Sequence, residues 1–244
     1  MSNRRFRYRF GVLVPFTNTN LEPDMAMLRP DGVSLHFARL GGYDADAIPD
    51  DGQMAGLGAS DLSEPLRLIQ GVRPDVILYG CTSATLTHGP AFDRELASRI
   101  KAQSGAETVT AAGALVYCLR SFGIERIGFA SPYVGAINDQ AEDFLAQAGV
   151  QTVSRADIGR VLDNWGQGEL RPSEIIALAR RADSAEAQAL VLSCTDMRSA
   201  EVVDALEAEL GKPVICSNQA MIRQACDLLG LECPAGCGRL LSAA

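Results

Sequence analysis

Two cysteines stand at the ends of apolar runs, and a threonine follows each. The stretch "DVILYGCTSATLTHG", from Asp75 to Gly89, places Cys81 ahead of the hydroxyl residues Thr82, Ser83 and Thr85. The stretch "ALVLSCTDMRSA", from Ala189 to Ala200, repeats the arrangement with Cys194 and Thr195. A thiolate is a good nucleophile and, with its conjugate thiol, a proton carrier. Two of them facing one ligand could divide nucleophilic attack and proton transfer between them, or exchange a proton on opposite faces of one carbon.

Cysteine is also among the most buried residue types, so a single cysteine beside a strand is ordinarily a small core residue. Cys118 and Cys226 fit that description on apolar helical faces, and Cys216 fits it in a strand. Cys81 and Cys194 differ because each follows a strand-like run and precedes Thr, and because an internal repeat makes them equivalents. "FGVLVPFTN" from Phe10 resembles "IGFASPYVG" from Ile127, "LYGCTSA" resembles "VLSCTDM", and "TVTAAGALVYCLRSFG" resembles "PVICSNQAMIRQACDLLG", all in the same order.

The elements that must position these residues follow from periodicity. Short Val, Ile and Leu-rich runs alternate with longer amphipathic segments, the pattern of buried parallel strands joined by crossover helices. Strands are expected near 10–15, 34–40, 76–80, 108–111, 126–131, 151–158, 189–193 and 213–216. Helices are expected at "PAFDRELASRI", "AGALVYCLRSFG", "AINDQAEDFLAQAG", "PSEIIALARRA", "SAEVVDALEAELG" and "NQAMIRQACDLLG", where apolar residues recur at three- and four-residue spacing. With the repeat, this predicts an α/β fold of two similar lobes, each a parallel sheet flanked by helices. The lobes are related by pseudo-two-fold symmetry, with the active site in the cleft between them. The first lobe is expected over residues 1–113, completed by 218–244, and the second over 114–217.

In open parallel sheets the ligand crevice lies beyond the carboxyl ends of the strands, where a following helix offers free N–H groups and a positive dipole end. A thiol there is expected to have a lowered pKa. Thr82, Ser83 and Thr195 are expected to donate to a carboxylate. Local dipoles must attract it, because the chain of 244 residues carries a formal charge of -8.

Composition excludes other classes. With 47% hydrophobic and 21% charged residues the chain reads as an ordinary globular protein. No basic cluster exists beyond "RRFRYRF" at the start, which argues against nucleic acid or an anionic membrane as partner. No signal-peptide pattern or long apolar run appears, so a cytoplasmic protein is expected. Seven cysteines and two histidines give no zinc ligand set, "CPAGC" at 233–237 included. No Walker or Rossmann fingerprint is present, and no cofactor is called for. His88 reads as a helix-start or surface residue, and Trp165 as a pocket-lining or packing residue. The glycine-containing "DGQMAGLGAS", 51–60, reads as a mobile loop with a lid role.

Nearly the whole chain, from "GVLVPFTNTNLEPDM" to "PAGCGRLL", resembles the aspartate/glutamate racemase superfamily, and within it the maleate cis-trans isomerase and arylmalonate decarboxylase branch. Maleate isomerases carry an Asn in a Pro-x-x-Asn segment, a nucleophilic Cys, a Pro-Tyr, an Asp-Asn pair and a second Cys. The positions that match, in order, are Asn18, Cys81, Tyr133, Asn164 and Cys194. The resemblance implies that Cys81 adds to a double bond, that rotation follows and that Cys194 transfers a proton. It also implies that Asn18, Tyr133 and Asn164 hold the carboxylates of a small acid substrate, without metal or cofactor; a homo-oligomer is allowed for.

Arylmalonate decarboxylases have Gly at the first cysteine position, so two cysteines favour isomerisation over decarboxylation. "CTSAT" is more hydroxylated than the corresponding maleate isomerase segment and leans toward the decarboxylase pocket or the ectoine-utilisation branch. "NWGQG" after Asp163 departs from the usual continuation. The Cys-Asn-Thr motif of the amino-acid racemases is absent. A racemase of amino acids or hydantoins is the second reading, and an acid-binding protein without turnover the third.

Overall fold

The computed structural model of the protein describes residues 5–41 and 44–242. Of the basic start, Arg4 lies outside the described residues. Eight strands form, each ending within two residues of its expected bounds: β1 (Tyr8–Pro15), β2 (Val33–Leu40), β3 (Val76–Tyr79), β4 (Glu107–Thr110), β5 (Arg126–Ala130), β6 (Gln151–Ala156), β7 (Ala189–Leu192) and β8 (Val214–Cys216). They make two four-stranded sheets of identical order, β2-β1-β3-β4 and β6-β5-β7-β8, and every pairing is parallel. The central strands β3 ("VILY") and β7 ("ALVL") are buried at every residue. Helices cover both faces of such strands, so continuous apolar runs replace alternation.

Eleven helices are described: α1 (Leu21–Met27), α2 (Asp51–Gly58), α3 (Ser63–Gln70), α4 (Thr82–Leu86), α5 (Gly89–Ser104), α6 (Ala111–Ser121), α7 (Ala136–Gln147), α8 (Pro172–Ala182), α9 (Val203–Leu210), α10 (Ser217–Leu229) and α11 (Gly238–Ser242). The six expected from periodicity are α5 to α10, with a 3₁₀ turn at Ala200–Val202 leading into α9. The helices α6 and α10, which follow the equivalent strands β4 and β8 directly, pack against each other. One hydrophobic core runs through both lobes, joining Phe10, Val12 and Val14 of β1 to Phe129 of β5 and Val191 of β7. Cys118, Cys216 and Cys226 belong to it, as expected of structural thiols.

The segment 51–60 is a correction. It is not a loop: α2 occupies 51–58, with the Asp50 side chain accepting from the Gln53 N–H at 2.8 Å. Met54 and Leu57 are buried. Its glycines serve close packing, since a Cβ on Gly58 would lie 2.3 Å from the Ala84 carbonyl oxygen of α4. Among the described residues no helix is long and apolar enough to cross a membrane.

Candidate active site

The two-fold repeat fixes where side chains leave the sheets. Cys81 lies two residues beyond the end of β3 and Cys194 two residues beyond the end of β7, while Asn18 and Tyr133 each lie three residues beyond β1 and β5. These strand ends face one another, and Cys81 and Cys194 line a single cavity between the lobes. Asn18, Tyr133 and Asn164 line it too, as do Thr82, Ser83 and Thr195, so all eight expected site residues converge. The centre of a water-sized sphere can explore only about 30 Å³ of it, room for roughly two waters.

The hydrogen bonds show which groups are free for a ligand. The Thr195 hydroxyl donates to the Gly80 carbonyl at 2.9 Å and accepts from the Asn18 amide at 3.1 Å. The Thr82 hydroxyl donates to Ser217 at 2.9 Å. Both threonines therefore tie the lobes together, and their hydroxyl protons are spent, contrary to the expectation that they donate to a carboxylate. The Asn18 oxygen accepts the N–H groups of Asn20 (3.1 Å) and Leu21 (2.8 Å) at the start of α1, which leaves one amide hydrogen of Asn18 available. Asn164 directs its Nδ2 to the carbonyls of Asp44, Ala45 and Ala47 at 3.3, 3.0 and 2.7 Å. In this structure it holds the 44–47 segment.

The thiols are not acidic. Burial pushes Cys81 above its ordinary value, opposed by the N–H groups of Ala84 and Ser83 and by the Ser83 hydroxyl 3.7 Å away. Burial pushes Cys194 up to about 12, and the carboxylate of Asp196 adds to the rise. The N–H groups of Asp196 and Met197 and the Tyr133 hydroxyl, 3.6 Å from the sulfur, oppose it. The expected lowering by a helix terminus fails for two reasons. Desolvation of a thiolate outweighs a few N–H dipoles. In addition, α4 is only five residues long, and a bend rather than a helix follows Cys194.

Each sulfur meets a hydroxyl: Cys81 lies 3.7 Å from Ser83 Oγ, which donates to Met54 Sδ at 3.0 Å, and Cys194 lies 3.6 Å from the Tyr133 hydroxyl. Burial keeps the Tyr133 phenol protonated, well above its ordinary pKa.

Several lining residues escape sequence reasoning. Asp196 is buried, and its Oδ1 accepts the N–H groups of Thr19 (2.8 Å) and Asn20 (3.0 Å), bridging the turn after β7 to the turn after β1. Its place in "CTD" was the available signal. Met54 and Leu57 reach the cavity from α2, and their three-residue spacing was the signal there. Gln167 also lines it. Trp165 stays outside the lining at 42% exposure. His88 stands just before α5, exposed, with its ring stacked on Phe92.

Comparison with known proteins agrees with this geometry. A family model described as arylmalonate decarboxylase matches residues 10–241. The chain belongs to the arylmalonate decarboxylase family. Within that family it is 30% identical to a maleate isomerase of Nocardia farcinica, covering 96% of this chain and 95% of that protein. It is 25% identical to a maleate isomerase of Geobacillus stearothermophilus, covering 92% and 93%. The structure superposes with TM-score 0.87, at 28% identity and covering 96% and 98% of the two chains, on a cysteine-to-serine mutant of the Nocardia farcinica maleate cis-trans isomerase. That structure carries a covalently bound succinylcysteine intermediate.

Proposed function

We propose that this member of the arylmalonate decarboxylase family is a cofactor-independent cis-trans isomerase that converts maleate, or a closely related cis-enedioate, to the trans isomer. The observation that carries the reading is the pair of thiols at equivalent strand ends, lining one cavity, each beside a hydroxyl group. Relatives named maleate isomerase at 25% and 30% identity over nearly the full chain support it, as does the succinylcysteine adduct of the Nocardia protein.

Cys81 is the nucleophile. Its sulfur bonds to one olefinic carbon, and the π pair takes a proton from the Cys194 thiol at the other carbon. The proton lost by Cys81 passes to Tyr133 and on to Cys194 once the Ser83 hydroxyl turns from Met54 toward Tyr133, so the addition is balanced. Rotation about the new single bond follows, and the same steps in reverse expel Cys81 and leave the trans alkene. A high thiol pKa suits this route because sulfur attack is coupled to proton delivery and no free thiolate waits in the cavity. Among the described residues no Arg or Lys lines the cavity, so neutral donors, the free Asn18 amide hydrogen among them, hold the carboxylates.

The same symmetry divides the chain into a first lobe of 1–113 completed by 218–244 and a second of 114–217. The packing of α10 on α1 and β4 supports that division, while α11 packs on β8 and α9 of the second lobe.

Proton NMR of the purified protein with maleate tests the reading: the trans isomer should appear without added metal or cofactor. No change in any enedioate, together with α-deuteration of an amino acid or hydantoin in D₂O, would replace it with a racemase.

A further inference from the structure

Beyond Asn164, the "NWGQG" segment takes no part in the steps above. It forms a pinned turn. Asp163 Oδ1 accepts the N–H groups of Trp165 (3.1 Å) and Gly166 (2.8 Å), and the Trp165 carbonyl accepts from Gly168 at 2.9 Å. The Gly168 carbonyl in turn accepts from Asn20 Nδ2 at 3.0 Å. A Cβ on Gly168 would lie 2.8 Å from Thr19 Oγ1 and 2.9 Å from Asn20 Nδ2, so a side chain here would displace the groups that hold the turn. The backbone of the residue before it, Gln167, is thereby held at the cavity wall.

Gln167 is only 4% exposed, yet its carboxamide makes no hydrogen bond to another described residue. The other amides and hydroxyls of the cavity are largely committed. Asn164 holds 44–47, Thr195 holds Gly80, Thr82 holds Ser217, and Asn18 keeps one hydrogen. Neither polar atom of Gln167 is among the side-chain atoms sealed from solvent without a partner, so its carboxamide is open to what enters the cavity it lines. Among the described residues the cavity that Gln167 lines has no cationic side chain to receive an anion, and a carboxamide supplies two N–H donors.

We infer that Gln167 is a specificity-determining residue whose Nε2 binds a carboxylate of the substrate, selecting diacids over monoacids and monoamides. This rests on the isomerase reading, and the test separates the two. Gln167→Met keeps length and volume and removes the hydrogen bonds; Gln167→Glu puts acceptors where donors stood. For maleate, Gln167→Met should raise KM about 10- to 100-fold, with a smaller change in kcat, the loss expected for one hydrogen bond to a charged group. Gln167→Glu should lose maleate still more and surpass the wild type on the monoamide of maleic acid, whose N–H groups can donate to it. A purely structural role would depress both substrates in parallel; that result, or an unchanged KM for maleate in Gln167→Met, overturns the inference.

If the wild type isomerises no enedioate, the isomerase reading falls and protection of Cys81 from iodoacetamide decides. Succinate shielding the wild type but not Gln167→Met, with butyrate shielding neither, upholds Gln167 as a diacid reader. Equal shielding of both proteins, or none of either, rejects it.

Discussion

The turns that carry Cys81 and Cys194 leave equivalent strands of equivalent sheets, but they surround their sulfurs differently. Beyond Cys81 the chain enters α4 at once, and the nearest hydroxyl, Ser83, belongs to that helix and donates to Met54 Sδ of α2 at 3.0 Å. Beyond Cys194 the chain bends, and the nearest hydroxyl, Tyr133, comes from the turn after β5. An acid, Asp196, lies in the same turn and is the second largest cause of the rise in the Cys194 pKa, whereas for Cys81 it is the last of the causes. The covering also differs. Helix α2 lies over the Cys81 side, while the lobe of Cys194 contributes a non-helical segment carrying Asn164 and Gln167. Burial holds both thiols neutral, but a neighbouring negative charge holds Cys194 more firmly. Cys194 is thus the better keeper of a proton, and Cys81 the easier to turn into a nucleophile.

The most drastic way to break this comparison is to delete each thiol. Cys81→Ala should lower kcat by roughly 10⁴-fold or more and leave no covalent adduct. Cys194→Ala should lose turnover comparably but accumulate an adduct of protein plus substrate, read by intact-protein mass spectrometry. An adduct mapped to Cys194 in the wild type would reverse the roles.

Removing the hydroxyls one at a time sharpens it. If protons cross between the sulfurs over Ser83 and Tyr133, then Ser83→Ala and Tyr133→Phe should each lower kcat about 100-fold, at the low end for general acid–base groups. The double variant should be little worse than either single one. Additive losses measured in steady-state kinetics would mean that the two hydroxyls act separately.

The asymmetry of the covering is tested at Gly58. Gly58→Ala forces a methyl against the Ala84 carbonyl and should cost about 1–3 kcal/mol, seen as a lower denaturation midpoint. Because α2 lies on α4, alkylation of Cys81 should speed up more than that of Cys194.

The smallest expected effect is electrostatic. Asp196→Asn keeps an acceptor for Thr19 and Asn20 but removes the charge. Burial, the larger cause of the raised Cys194 pKa, remains, so the midpoint of Cys194 alkylation against pH should move down without returning to that of an exposed thiol. The midpoint of Cys81 should move less. The shift develops only above the pH at which Asp196, whose own pKa burial raises, is ionised in the wild type. Site-resolved mass spectrometry of iodoacetamide labelling measures both thiols at once.

Much of the framework could be read in the chain because it is written in local patterns. Buried strands are uninterrupted apolar runs, so β3 and β7 and the cysteines that end them were visible, and α5 to α10 announced themselves by periodicity. Helix α2 was not visible, because glycine lowers helix propensity wherever it stands. Only the contact with Ala84 reveals that Gly58 is there for close approach rather than mobility. The eight site residues were identifiable by type and by place after strand ends, but their tasks were not. Thr82 and Thr195 look like ligand donors until Ser217 and the Gly80 carbonyl claim them.

The sequence by itself determined the two-lobe α/β plan, the equivalence of Cys81 and Cys194, and their position at the carboxyl ends of parallel strands. These depend on spacing along one segment at a time. Tertiary structure decided what those thiols and their neighbours are able to do. Asn18 meets Thr195 across 177 residues of chain, Asn164 reaches Ala47 across 117, and Gln167 comes to line the cavity with them. The pKa of a thiol likewise depends on how completely water is excluded from around it, and that exclusion is the work of both lobes closing on one cavity.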